Sequence, residues 1–176
     1  MSDSGVYSAT GRLQFLGSMK KIGKNMYTIH EESLPGEQYN ELREIVGWGA
    51  LDPDKVKSSL PNSLYSVLAK YNDEIIGFTR VVGDGGLSFY IPDIIIHPMH
   101  QRKGIATKFM DCIMKFLQNN ACNRSYVCVF VGNEVAMTKF YEKYGFWKRP
   151  TINMGPGMFQ FWNDPEYNKQ RCNPPG

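Results

Sequence analysis

Between Leu64 and Val131 the spacing of apolar residues changes period, and this change restricts the fold more than any other feature of the chain. Leu64 to Lys70, Glu74 to Val82 and Leu87 to Ile96 are rich in Val, Ile, Phe and Tyr, and only Asn72-Asp73 and Gly83-Asp84-Gly85-Gly86 interrupt them. Turns of that length and chemistry join antiparallel neighbours, so the three runs read as a meander. After Pro98 the apolar residues Ile105, Phe109, Cys112, Ile113, Phe116 and Leu117 fall at helical spacing, and the run ends near Asn119-Asn120. Ser125 to Val131 then reads as a short buried strand. Strand, helix and strand in succession make a parallel crossover. The pattern predicts an α/β fold whose mixed sheet is an antiparallel meander followed by a parallel β-α-β crossover, with helices on both faces.

The flanking segments extend this plan. Lys24 to Ile29 reads as a strand. Pro35 opens a helix through about Val46, with Tyr39, Leu42, Ile45 and Val46 on one face, and Gly47-Trp48-Gly49 closes it. Pro53 opens a shorter helix ending near Leu60. Asn133 is placed to cap a helix running through Tyr144, and Gly145 to stop it. Phe146 to Trp162 supplies one or two closing strands around Gly155-Pro156-Gly157. Residues 1–18 lack a period and end in Gly17-Ser18, as a vector-derived leader or a disordered segment would, with Met19 as the natural start. Residues 19–162 then form the domain, and the polar tail 163–176 frays.

Composition excludes several classes. The 176 residues are 42% hydrophobic and 21% charged, which is ordinary globular composition and not that of a disordered chain. The longest apolar run, Ile91 to Ile96, carries Pro92 and Asp93 and is far below the ~20 residues of a membrane span. The first 30 residues hold no signal-peptide core. A net charge of +3 does not argue for nucleic acid. Cys112, Cys122, Cys128 and Cys172 contain no Cys-x-x-Cys pair and read as reduced thiols of a cytoplasmic protein. His97 and His100 are spaced like a metal pair but lack a third ligand, so no metal is expected.

Two segments carry chemistry. In Gln101-Arg102-Lys103-Gly104-Ile105-Ala106 a small-residue helix start follows a strand; its free N–H groups and positive dipole end suit an anion, with Arg102 and Lys103 adding charge. The same segment also suits a helix start that merely needs a small residue. It matches neither the nucleotide P-loop nor Gly-x-Gly-x-x-Gly. The second segment is the aromatic stripe Phe140-Tyr141-Glu142-Lys143-Tyr144-Gly145-Phe146, which suits core packing. The Tyr141 hydroxyl nevertheless needs a partner if buried.

Taken in order, Ile94-Ile95-Ile96-His97-Pro98, Gln101 to Ala106, Asn133 and the Phe-Tyr-x-x-x-Gly-Phe run of 140–146 resemble the GNAT superfamily of N-acetyltransferases over residues 19–162. The resemblance implies an acetyl-CoA site and no metal. The backbone of Ile94, Ile95 and Ile96 would hold the acetyl carbonyl and the pantetheine arm. Gln101, Arg102, Lys103, Gly104, Ile105, Ala106 and Thr107 would wrap the pyrophosphate, and Asn133 would contact the pantetheine. Tyr141 would be the general acid for the departing thiolate. Gln101 stands where the family often has Arg, and Ala106 where it often has Gly; backbone amides dominate phosphate binding there, so both departures are mild.

The implied reaction is direct attack of an amine on the thioester. An alkylamine with a pKa near ~10.4 must first lose a proton. Asp93 is the acid nearest the thioester strand and the candidate base; the alternative is a carboxylate paired with arginine. Glu31, Glu32 and Trp48 are candidates for the acceptor side. Residues 31–54 hold seven acids against the single base Arg43, a net of −6, whereas residues 97–149 hold nine bases against three acids, a net of +6. The basic half suits a phosphate-rich donor, and the acidic half a small cationic amine. The expected activity is acetyl-CoA-dependent N-acetylation of such an amine, without nucleic-acid or membrane partners. The alternatives are a protein or peptide N-acetyltransferase and a silent acyl-CoA-binding regulatory module. Exposed strands near 146–162 would allow a homodimer.

Overall fold

The computed structural model describes residues 27–131 and 135–158. The leader 1–18, the beginning of the first expected strand, Asn133, the end of the expected closing strands and the tail 163–176 lie outside the described residues. The chain divides into two compact units, Met1–Phe130 and Val131–Gly176.

The first unit carries one five-stranded sheet in the order β1-β2-β3-β4-β5. Its strands are β1 (Tyr27–His30), β2 (Tyr65–Tyr71), β3 (Glu74–Gly83), β4 (Ser88–Ile96) and β5 (Tyr126–Val129). The first four pair antiparallel, and β5 joins β4 in parallel, as the change of period requires. Asn72 and Asp73 take φ of 50° and 68°, which makes the β2–β3 connection a two-residue hairpin turn of the primed kind. At the β3–β4 connection Asp84 accepts the backbone N–H groups of Gly86, Leu87 and Ser88. Gly83 precedes this turn at φ +153°, where a Cβ would lie 2.0 Å from the Ser88 carbonyl oxygen.

Helices cover both faces. Helices α1 (Gly36–Ile45) and α2 (Pro53–Ser59) bury Tyr39, Leu42 and Val56 with Leu68, Phe78 and Ile95 of the sheet. Asp52 caps α2 by accepting the Lys55 N–H at 2.9 Å. On the other face α3 (Ile105–Asn120) packs Ile105 and Phe109 against Val67, Ala69, Ile76 and Ile96. Neighbouring residues of one strand therefore enter different cores, Ile95 on the α1/α2 side and Ile96 on the α3 side.

Three expectations are corrected. Ile45 is exposed, because at 3.6 residues per turn it sits roughly 90° from the centre of the Tyr39-Leu42-Val46 face. β5 is an edge strand of the described sheet and only half-buried, with Tyr126 and Cys128 outward. In the described part of 146–162 there is no strand; Thr151 and Met154 form an isolated bridge. In this second unit α4 spans Val135–Glu142, shorter than the helix expected through Tyr144, and Gly145 follows it at φ +84°. The Phe146 N–H donates back to the Tyr141 carbonyl, closing the turn after the helix.

Candidate active site

The site is built on β4. Its parallel pairing with β5 ends at Ile91↔Val129, while its antiparallel pairing with β3 continues to Gly77↔Ile96. Pro92 has no N–H to extend the ladder. From Pro92 to Ile96, no strand among the described residues pairs with the β5-side edge. Backbone groups of Ile94, Ile95 and Ile96 thus lie on a sheet opening at a strand C-terminus, where α/β sheets bind ligands.

The loop after β4 is fixed to the strand by its own side chains. Gln101 donates from Nε2 to the Ile96 carbonyl at 3.1 Å, so its amide is committed to shaping the loop. Arg102 and Gly104 take positive φ, 59° and 81°. Backbone turned this way presents successive N–H groups to one concavity, a form suited to anions. Gly104 caps α3 without a side chain, and a Cβ there would meet nothing within 4 Å. Its role is therefore conformational, and the space before it is open. Ile105 is buried and Ala106 packs against the α3-side core. These two positions can offer a ligand only backbone. Lys103 lies over the Tyr27 ring, and the Tyr27 hydroxyl shares a hydrogen bond with His100 Nδ1 at 3.1 Å. His97 Nδ1 accepts the Met99 N–H. Partial burial and Lys103 lower the His100 pKa. Among the described residues no three His, Cys, Asp or Glu side chains gather as a metal would require.

On the opposite face of β4 lies a polar cluster. Asp93 is 3% exposed; its Oδ2 accepts the Tyr39 hydroxyl at 3.1 Å and the Arg80 Nε–H at 2.7 Å. The sequence alternative of an arginine-paired carboxylate is therefore what the geometry displays. Both contacts fall on Oδ2. Burial first, and the Asp93 charge second, raise the Tyr39 phenol. The same causes push Tyr90 up to about 12. In front of Tyr39 and Arg80 opens a cleft of about 290 Å³, walled by Leu51, Val56, Ser59 and Leu60, with Asp52 and Lys55.

The candidates Trp48, Glu31 and Glu32 do not line this cleft. Trp48 is half-exposed beneath the Arg43 guanidinium, which also donates to the Trp48 carbonyl. Glu32 pairs with Lys70 at 2.9 Å. Glu31 sits beside the Tyr65 hydroxyl and the Cys112 thiol, both raised chiefly by burial. Tyr39, Arg80 and Lys55 were missed. The available signal was a basic residue inside the apolar β3 run and an acidic one inside the apolar β4 run, since charges placed so are buried only when paired. Tyr141, in the second unit, is 5% exposed; its ring meets Phe140 and Phe146, and burial pushes its phenol up to about 12.

A mixed sheet opened at β4 and followed by a basic, glycine-capped loop defines a class that takes a phosphorylated donor at a strand end. The model of the acetyltransferase (GNAT) family matches residues 24–146. An uncharacterized N-acetyltransferase, ycf52-like, of Prochlorococcus marinus is 29% identical over 66% of this chain and 64% of its own length, so the chain spans just under two thirds of that relative. A structure from meticillin-resistant Staphylococcus aureus, described as a probable acetyltransferase, is 30% identical and covers 78% of this chain and 100% of its own, with a TM-score of 0.69. A GNAT family acetyltransferase of Elizabethkingia anophelis with acetyl-CoA bound is 25% identical, covering 70% of this chain and 78% of its own at a TM-score of 0.50. The chain belongs to the acetyltransferase (GNAT) family.

Proposed function

We propose that this protein transfers the acetyl group of acetyl-CoA to the primary amine of a small molecule that arrives cationic because its amine is protonated. The observation that carries this reading is the opening of β4 beyond Ile91, at the strand end that leads into the Gly104 loop. The residues fit the donor: backbone turned toward an anion at Arg102 and Gly104, open space before Gly104, and the cations of Arg102 and Lys103. The related enzyme with acetyl-CoA bound supports the choice of donor. In this reading Gln101 to Thr107 hold the pyrophosphate, largely through backbone, while Ile94, Ile95, Ile96 and Asn133 hold the acyl and pantetheine portions. A cleft of about 290 Å³ is at the small end of ligand pockets, which favours a small acceptor over a peptide.

The amine nitrogen attacks the thioester carbonyl carbon; the N–C bond forms, the C–S bond breaks and the thiolate departs. Asp93 is the base. Its Oδ2 is held by Tyr39 and Arg80, and Oδ1 takes the ammonium proton, directly or through water. The acylated nitrogen sheds its remaining extra proton to solvent, and Tyr141 gives its phenolic proton to the thiolate and recovers one from solvent. The enzyme works in the cytoplasm with its thiols reduced.

Thermal denaturation with acetyl-CoA, against ATP and NAD, tests the donor. A ligand at 100 times its Kd stabilises by ~2.7 kcal/mol, a rise of about 5–11 °C for a chain of this size. Selective stabilisation by acetyl-CoA, followed by amine-dependent thiol release, is the expected result. Equal response to all three ligands, or none, removes the reading.

A further inference from the structure

The charges that face the acceptor cleft do not suit an acceptor that is only a cation. The −6 of residues 31–54 is spent elsewhere or on the surface: Glu32 pairs with Lys70, Glu31 lies beside Tyr65 and Cys112, and Asp52 accepts the Lys55 N–H as a helix cap. The side chains at the cleft are Asp52, Lys55 and Arg80, with Asp93 behind Tyr39 and Arg80. Asp52 and Lys55 offset each other, as do Arg80 and the Asp93 behind it, and a site without net charge of this kind complements a zwitterion better than a net cation.

The unused bonding capacity has the same character. Arg80 spends Nε on Asp93 and has the Tyr39 hydroxyl as a second hydrogen-bonding neighbour, which leaves Nη donors over, and the Arg80 guanidinium is held 5.6 Å over the Tyr39 ring, which fixes its plane. Among the described residues the only ion pairs are Lys70–Glu32 and Arg80–Asp93, so the Lys55 ammonium has no carboxylate partner there. A planar fork of N–H donors beside an ammonium matches one chemical group above others, a carboxylate. Around these groups Leu51, Val56 and Leu60 give the cleft an apolar wall.

We infer that the acceptor is a small amino acid: its ammonium lies toward Asp93, its carboxylate on Arg80 and Lys55, and its apolar side chain against Leu51, Val56 and Leu60. This rests on the acetyl-transfer reading and adds the acceptor's second functional group. Arg80 and Lys55 are then specificity-determining residues.

The test compares acceptors that differ only in the carboxylate, leucine with 3-methylbutylamine and phenylalanine with 2-phenylethylamine, by thiol release from acetyl-CoA. The wild-type protein is expected to favour each acid by tenfold or more in kcat/KM. Arg80→Gln should abolish that preference, and Lys55→Ala, at an exposed position that tolerates truncation, should reduce it at least threefold with the KM for acetyl-CoA unchanged. Equal or better use of the decarboxylated amines by the wild-type protein overturns the inference, as does a preference that survives in Lys55→Ala and in any folded Arg80→Gln. Turnover of none of the four acceptors, with acetyl-CoA still stabilising the protein, also overturns it and leaves the donor reading standing. Loss of stabilisation by acetyl-CoA counts instead against acetyl transfer itself.

Discussion

Arg80 and Asp93 face each other directly across the β3–β4 ladder, and the Arg80 Nε–H lies 2.7 Å from the Asp93 Oδ2 in a setting where the two side chains are 17% and 4% exposed. Removing one member of such a pair strands the other charge in the core. Arg80→Gln is therefore expected to cost about 3 kcal/mol of stability, the lower end for a broken buried pair because Arg80 keeps some solvent. Replacing both, Arg80→Met with Asp93→Leu, should recover most of that loss and leave no turnover, since the proposed base is gone. Urea unfolding with matched activity assays decides this: a double variant as unstable as the single one refutes the explanation by stranded charge.

The parts of this fold that could be read in the sequence are those set by local chemistry. The turn at Asn72-Asp73, the Asp84 loop, the Pro53 start of α2 and the spacing of α3 depend on neighbours within a few residues, and each lies where the pattern put it. The Tyr39–Asp93 hydrogen bond joins residues 54 apart in sequence, and Arg80 meets Asp93 only because the register shifts between Arg80 and Val82. Nothing local encodes either contact. Trp48 has a similar contact that its glycine neighbours do not announce: Arg43 reaches forward five residues to hold its carbonyl and cover its ring. The proposed donor loop was more legible than the proposed acceptor cleft because a loop with backbone N–H groups turned outward is announced by glycine and spacing. A cleft assembled from α1, α2 and β3 has no such signature.

Gly104 permits a direct check on the donor loop. Its φ of +81° costs an L-residue about 1–2 kcal/mol, and a Cβ there would touch nothing, so the strain of Gly104→Ala is purely conformational. The substitution should lower stability by about 1 kcal/mol and weaken acetyl-CoA by more than that strain alone explains, because relaxation of the loop withdraws N–H groups from the anion. Denaturant melts and direct titration of acetyl-CoA separate the two effects. Unchanged affinity in a destabilised protein would show that the loop does not hold the donor.

Gly83 makes a contrasting prediction, about folding alone. At φ +153°, a Cβ would fall 2.0 Å from the Ser88 carbonyl oxygen, a backbone atom that cannot step aside without opening the β3–β4 turn. Gly83→Ala should cost about 3 kcal/mol or more, in the range reserved for named steric failures. By contrast Gly85→Ala, whose Cβ would have only the Leu64 side chain at 3.9 Å and whose φ is +85°, should cost about 1 kcal/mol from backbone strain. Equal melting temperatures for the two variants would show that the turn is not the rigid element described.

The general-acid role proposed for Tyr141 depends on its protonation state. Burial pushes its phenol up to about 12, so the form that can donate a proton persists well beyond the ordinary tyrosine range. The sign follows from the role. An acid is lost as pH rises through its pKa, and a raised pKa moves that loss upward, so kcat should not fall between pH 9 and 11 on account of Tyr141. Deprotonation of the acceptor amine instead makes the rate climb toward ~10.4. Tyr141→Phe keeps the ring against Phe140 and Phe146 and removes only the donor. It should lower kcat by about 10²-fold, the lower limit for general acid catalysis, because a thiolate with a pKa near ~8.5 departs with little help. The KM for acetyl-CoA should stay within about twofold, since no binding contact is removed. The measurement is a kcat–pH series on both proteins with saturating amine. Unchanged kcat in Tyr141→Phe removes the residue from the reaction. A wild-type rate that falls near pH 10 and does so no longer in the variant would instead assign Tyr141 an ordinary, solvent-like acidity at odds with its burial.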